Sequence, residues 1–491
     1  MAKETSLNMG MAVAVCPQMC DPPYLKGESY GGLLPPTTYT FDEFACLNLT
    51  ITLPTSLLQS PDENQKYLPI IIARILWSIP LQLANRSSLN PERLGAFGFL
   101  ISREKIEEGK QRKEQIGNYG IWDVICGFDW VHKFVPGLGG DVENITAFGE
   151  SAGGVTFSYL IASNGHGRKL FKAILQSGVA TAMPLHIVAG ERPAFNMLYK
   201  TIARSSFFTS PSDKVAKLRE IPAEKIVDAN LPDTKCRPYV DGVLFPKAWE
   251  LDDICSKTYD CDWLESILVG DCGFEGSLFR PLYAQVFYKV PNPNYILQEQ
   301  LLTTFGEETG RNIPNILRAF NLEIYASKPV SKLASGLVYI SHFIASKILQ
   351  VPRASEDHIS NYREMGWGKK YDIPAYLYHF DKTNPFPEKG YQGYSHHFVD
   401  LLYLFQTLNS RIAQLGNVKT SHERQAFELS AAQNLALKWI EYTYGLEPWD
   451  KDKVGVLGNS EDAGQWVVLK DEEDQAKYGR KLDAWKEVGP K

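Results

Sequence analysis

The chain runs to 491 residues, 44% of them hydrophobic and 22% charged, which suits a large buried core and excludes a disordered polar chain. Its 51 lysines and arginines face 57 aspartates and glutamates, a net charge of −6. No long basic run is present to track a phosphate backbone, so no nucleic-acid partner is expected.

In chain order, the opening Met1-Ala2-Lys3-Glu4-Thr5-Ser6 is mixed in charge, and no apolar core of signal-peptide length precedes Cys16. A cytoplasmic location is the expectation from that start. Leu47 to Leu53 alternates as a strand does. Tyr67 to Ala84 is apolar enough to suggest a membrane helix, but Arg74 near its middle and the interrupting Pro69 and Pro80 favour a buried strand or helix and no transmembrane segment. Asn144 to Phe148 reads as a short strand that stops at Gly149, and Ala152 to Ala162 as the helix that follows it. Later strands are expected at Lys172 to Gln176, Glu265 to Gly270 and Pro374 to Phe380, before a long helix over Ala426 to Tyr444. Short β-type runs alternating with longer helical patterns specify an α/β fold, a mostly parallel sheet with helices on both faces. No internal repeat or Pro/Gly-rich linker divides the chain, which is expected to form one domain over 1–491. Eight cysteines, at 16, 20, 46, 126, 236, 255, 261 and 272, make neither a small-domain disulfide framework nor a repeated Cys-x-x-Cys metal pattern.

The sharpest chemical signal is Gly149-Glu150-Ser151-Ala152-Gly153, a Gly-x-Ser-x-Gly between an expected strand and an expected helix. A serine on a strained strand-to-helix turn lifts its hydroxyl above the sheet edge, and glycines beside it let neighbouring backbones approach. The next amide, on Ala152, opens the helix and is placed to donate to a developing oxyanion. A glycine-rich helix start carrying an inert serine is the competing reading. A serine nucleophile needs a general base, and the base needs an acid to fix its tautomer; on a fold of this kind they follow in the order Ser, acid, His. Asp271 and Glu275 both fall on the loop after the strand ending at Gly270, and nine histidines compete for the base.

The run Asn118-Tyr119-Gly120-Ile121-Trp122-Asp123, then Trp130-Val131, Gly139-Gly140-Asp141, Asn144-Ile145-Thr146 and Phe148-Gly149-Glu150-Ser151-Ala152-Gly153-Gly154 resembles the central block of the type-B carboxylesterase and lipase family, which includes cholinesterases and fungal lipases. Cys46-Leu47-Asn48-Leu49, Leu94-Gly95-Ala96-Phe97-Gly98-Phe99 and Gln176-Ser177-Gly178 also fit its pattern. The resemblance implies the α/β-hydrolase fold with large loop and helix insertions, ester hydrolysis through an acyl-enzyme, and no metal or organic cofactor. It selects Glu275 as the acid, because Gly270-x-x-x-x-Glu275-Gly276 is similar to the family's acid motif, with Asp271 as the fallback. It selects His397 as the base, because His397-Phe398-Val399-Asp400-Leu401-Leu402-Tyr403 is similar to the family's window, whereas starting at His396 puts Val399 where an acidic residue belongs. It also implies that Cys16 and Cys46 correspond to the family's first disulfide pair.

The chain departs from that family in two places. The family's N-terminal strands have no counterpart before Cys16, so the chain reads as shortened there. Where the family places a His-Gly-Gly oxyanion loop after a strand beginning Leu-Pro-Val, this chain has Leu68-Pro69-Ile70-Ile71-Ile72 and then Ala73-Arg74-Ile75-Leu76-Trp77, with no glycine between Gly32 and Gly95. The resulting expectation is a serine carboxylic-ester hydrolase of reduced turnover acting on a small-molecule ester, with Ser151, His397 and Glu275 as triad and the Ala152 amide as oxyanion donor. The competing expectations are a weak or inactive homologue serving as a binding protein, and a lipase acting on longer-chain acylglycerols.

Overall fold

A computed structural model describes residues 93–163, 165–180, 210–229, 237–247, 263–273, 373–386, 392–406, 409–414, 421–451, 453–458 and 464–470, the short pieces 14–16, 40–41, 49–51, 67–75 and 88–89, and a few single positions and pairs that include Glu275. The strands are β1 Ala14–Val15, β2 Thr40–Phe41, β3 Leu49–Thr50, β4 Leu68–Ile75, β5 Ser88–Leu89, β6 Gly140–Glu150, β7 Lys172–Gln176, β8 Ser266–Cys272, β9 Ala375–Phe380, β10 Lys453–Leu457 and β11 Val467–Lys470. The helices are α1 Gly95–Phe99, α2 Arg103–Arg112, α3 Tyr119–Phe134, α4 Ala152–Ile161, α5 Pro211–Arg219, α6 Ala223–Asp228, α7 Val399–Leu404, α8 Asn409–Gln414 and α9 Ser421–Thr443.

Among the described residues, nine strands form one sheet in the order β11-β10-β9-β8-β7-β6-β4-β5-β3. Every pairing from β10 through β9, β8, β7, β6 and β4 to β5 is parallel, and only β11 and β3, at the two edges, run antiparallel to their neighbours. A parallel sheet needs long crossovers, and described helices lie in those from β5 to β6, β6 to β7, β7 to β8 and β9 to β10 and cover both faces.

Period-two alternation sorts the strand side chains into two cores. Ile70 and Ile72 of β4, Ile145 and Ala147 of β6, Ala173 and Leu175 of β7, and Ile267 and Val269 of β8 join one cluster with Val124 and Phe128 of α3 and Phe157 and Leu160 of α4. Their alternates, Ala73, Phe148, Ile174 and Leu268, join the other with Leu401 and Leu402 of α7 and Leu435 and Trp439 of α9. Both faces of the central strands are therefore buried. Truncating a fully buried member such as Ile72 to alanine would cost about 2–5 kcal/mol.

Two parts of the fold bear on the site. Asn118 donates to the Tyr239 carbonyl at 2.9 Å and accepts from the Tyr239 amide at 3.1 Å, which holds the start of α3 in place. On the other face, the buried Lys382 ammonium lies 3.2 Å from the Glu428 carboxylate, which also accepts from the Tyr403 hydroxyl, so α7 is tied to α9. Cys16 is buried and its sulfur accepts from the Leu94 amide at 3.3 Å; Cys46 lies outside the described residues. The chain between Ile75 and Ser88 lies outside them as well. Of the apolar stretch from Tyr67 to Ala84, the described part is strand β4. Among the described residues, no helix is long and apolar enough to cross a membrane.

Candidate active site

Strand β6 ends at Glu150, helix α4 begins at Ala152, and Ser151 between them has φ 55° and ψ −122°. A non-glycine residue at such angles stores strain and has to be held by its surroundings. The holding comes from glycines packed without a gap. A Cβ on Gly149 would meet the Gly153 carbonyl carbon at 2.3 Å, one on Gly153 the Arg74 oxygen at 1.9 Å, and one on Gly178 the Ser151 oxygen at 2.0 Å. Backbone bonds complete the clamp: the Ser151 amide donates to the Gln176 carbonyl at 2.8 Å, and its own carbonyl accepts from the Val155 amide at 3.0 Å. The first amides of a helix have no intrahelical acceptor, so the Ala152 N–H at the start of α4 is open to an oxyanion.

Glu275 lies just beyond β8 and is buried. One carboxylate oxygen accepts from the Cys272 amide at 2.6 Å and the Ser177 hydroxyl at 2.7 Å, and the other pairs with Nδ1 of His397. Those bonds fix the carboxylate before it meets the ring. Ser177, at φ 54° directly after β7, is placed for this by the same kind of turn that follows β6 at Ser151. His397 is buried, and its other nitrogen, Nε2, lies 3.1 Å from the Glu150 carboxylate. Burial works against the imidazolium, but the carboxylates of Glu275 and Glu150 outweigh it, and the His397 pKa is held up at about 9.

The structure thus brings Glu275 and His397 together and sets Ser151 beside Glu150, the residue that faces Nε2. No hydrogen bond joins the Ser151 hydroxyl to another described residue. The neighbouring His396 points elsewhere: Nδ1 meets the His397 carbonyl at 2.8 Å and Nε2 meets Asn384 at 3.3 Å. Burial pushes its pKa down to about 4. Asp271, the fallback acid, instead pairs with Nδ1 of His379 at 2.7 Å.

Supporting residues that the sequence did not single out for these contacts complete the cluster. Asp400, fully buried at the start of α7, accepts from Gln176 at the end of β7 and from the Leu401 amide at 2.9 Å. Burial raises its pKa to about 6 against the pull of that Gln176 bond, with Glu275 adding to the rise. The Cys272 thiol is pushed well up by burial, then by Asp400 and Glu275, and stays protonated. A serine at a strained turn, a buried Glu–His pair and an open helix amide are the kinds of part that acyl transfer uses.

The comparisons with known proteins agree with this architecture. The carboxylesterase family profile matches residues 92–430. Lipase 3 of Yarrowia lipolytica is 26% identical over 385 residues, which are 75% of this chain and 61% of that protein. Acetylcholinesterase of Leptinotarsa decemlineata is 30% identical over 224 residues, 42% of this chain and 34% of that one. Carboxylesterase 3 of Homo sapiens is 34% identical over 157 residues, 32% of this chain and 26% of that one. The chain thus spans less than two thirds of the length of these curated relatives. Among solved structures, a PNB esterase superposes with a TM-score of 0.64 at 17% identity, over 97% of this chain and 88% of that one, a likeness of fold. The chain has the α/β-hydrolase fold and belongs to the carboxylesterase family.

Proposed function

We propose that this chain is a serine carboxylic-ester hydrolase with Ser151 as nucleophile, His397 as base and then acid, Glu275 as the carboxylate that orients it, and the Ala152 amide as oxyanion donor. The observation that carries the reading is the strained Ser151 turn lying at the same sheet edge as the buried Glu275–His397 pair. In acylation, Ser151 Oγ bonds to the ester carbon while its proton passes to Nε2 of His397. The carbonyl π pair moves onto oxygen, which the Ala152 amide meets. Collapse expels the alcohol, protonated by His397, and water repeats the sequence to release the acid. For the first transfer, Nε2 exchanges its Glu150 contact for the serine hydroxyl.

Turnover is expected to be low. Where a single oxyanion donor has been removed from a serine hydrolase, the loss is about a hundred- to a thousandfold. The stretch between Ile72 and Asn90 has no glycine with which to form the turn that would supply further donors. The test is hydrolysis of p-nitrophenyl acetate together with fluorophosphonate labelling of the wild type, Ser151→Ala and His397→Ala. Slow, Ser151-dependent hydrolysis and labelling are expected, both lost in Ser151→Ala and strongly reduced in His397→Ala. Labelling at another residue, or hydrolysis that survives Ser151→Ala, would overturn the reading.

A further inference from the structure

Strand β4 carries an arginine on the face that packs against the nucleophile helix. Ile70 and Ile72 point into the core shared with α4, and Arg74 continues that face. It is 8% exposed, and one guanidinium nitrogen donates to the Ala152 carbonyl at 2.6 Å and to the Thr156 hydroxyl at 2.6 Å. The Thr156 hydroxyl in turn donates to the same Ala152 carbonyl at 2.9 Å. The Arg74 backbone takes part too, since its carbonyl oxygen sits where a Cβ on Gly153 would be, at 1.9 Å. The side chain and backbone of one residue therefore grip the first turn of α4, at the residue whose amide faces the reaction.

The N-terminal turn of a helix already carries the positive end of its dipole, and both acceptors on α4 are neutral. Burial pushes the guanidinium pKa down to about 9, so it is a cation at neutral pH, with part of its solvation lost. Negative charge arriving at the Ala152 amide adds a favourable attraction, because a buried charge on the same turn is poorly screened. An interaction that strengthens as negative charge develops in the tetrahedral intermediate lowers the barrier by differential binding.

Resting on the esterase reading above, we propose that Arg74 is a positioning residue for the oxyanion: it holds the Ala152 carbonyl, and with it the first turn of α4, and places a buried positive charge on the residue whose amide is the donor. No bond to the guanidinium is made or broken. During acylation the Ser151 Oγ–carbon bond forms, the π pair becomes the oxyanion and the proton moves to His397, while the Arg74 charge stays fixed.

The experiment compares the wild type, Arg74→Met and Arg74→Lys in kcat and KM for p-nitrophenyl acetate. It adds inhibition by a short-chain trifluoromethyl ketone, which forms a tetrahedral adduct with an active serine, and thermal melting to confirm folding. Arg74→Met is expected to lose about ten- to a hundredfold in kcat, on the low side of a lost oxyanion donor, with KM little changed. Ketone affinity should fall in parallel, and Arg74→Lys should recover most of both; a purely structural arginine would move melting without moving the ratio of ketone affinity to KM. Folded Arg74→Met with wild-type kcat and ketone affinity would overturn the proposal. Should Arg74→Met fail to fold, Thr156→Val decides: released from one partner, the guanidinium should shift and lower kcat several-fold, and an unchanged kcat would overturn the proposal. Absence of Ser151-dependent turnover and of a ketone adduct in the wild type would overturn the esterase reading and this one together, whereas a working wild type with indifferent variants would overturn only this one.

Discussion

His397 sits between carboxylates. Glu275 holds Nδ1, Glu150 faces Nε2 at 3.1 Å, Asp400 adds charge from α7, and the neutral His396 flanks it in the chain. A base must be neutral to accept the Ser151 proton, and with a pKa of about 9 the ring is mostly imidazolium at neutral pH. Activity is therefore expected to rise with pH and level off only above about 9, instead of near the usual histidine value of about 6.5. Glu150→Gln removes one of the raising charges and should move the inflection of kcat/KM to lower pH, whatever it does to the plateau. A wild-type inflection near neutrality, unmoved by Glu150→Gln, would contradict this account of the site. The same shift has a stability side: because the folded value lies above the unfolded one, the contribution of His397 is fully present below about pH 6.5 and is lost as pH rises through about 9. Little of this could be read from the sequence. The strained turn at Ser151 was legible because it is local, and the meeting of Glu275 with His397 because motif and chain order point to both. The contacts of Glu150, Ser177, Gln176 and Asp400 join segments far apart in the chain, and no local pattern records them.

Among the elements, the strand Lys172–Gln176 matches its sequence reading residue for residue, because all five positions are buried and both ends are marked. Strand β6 is longer than the reading of Asn144 to Phe148, running over Gly140–Glu150; its first half carries Asp141 and Glu143 and is only partly buried, so the apolar signal starts late. Helix α9 begins at Ser421, ahead of the expected Ala426, since Ser421-His422-Glu423-Arg424-Gln425 turn helically without an apolar stripe to mark them. The strand read over Leu47 to Leu53 is described only as Leu49–Thr50. The junction of β6 and α4 gives a direct test of how tightly these elements are fitted. In Gly153→Ala the new methyl would meet backbone, the Arg74 carbonyl at 1.9 Å, so β4 and α4 would have to part. The substitution is expected to destabilise the fold by about 1–3 kcal/mol, in the range of overpacked cores, and to remove most activity by tilting the Ala152 amide. A denaturant midpoint and kcat like those of the wild type would show that the junction is looser than its distances imply.

Over the whole molecule, the sheet separates two kinds of work. Arg74 and α4 lie on one face and α7, which carries Asp400, on the other, while Ser151 follows the end of β6. The α/β architecture with helices on both faces was legible from alternating strand and helix patterns, whereas the place of β4 between β5 and β6 was not. That strand order also governs how the chain folds. Each parallel pairing closes a long loop before its contacts can form, so the topology favours slow, late assembly of the sheet, while α9 can form from local contacts alone. The proposed triad draws its members from after β6, after β8 and after β9, so it exists only once those strands lie in register. After dilution from denaturant, far-UV helix signal is expected to return first and ester hydrolysis last, in step with the burial of Trp439 and Trp449. Activity that recovered ahead of tryptophan burial would mean that the site closes before the sheet does. If the proposed triad is right, such a chain reports its own completion: its chemistry would switch on at the final step of its assembly, and a half-folded chain would carry a serine with nothing to activate it.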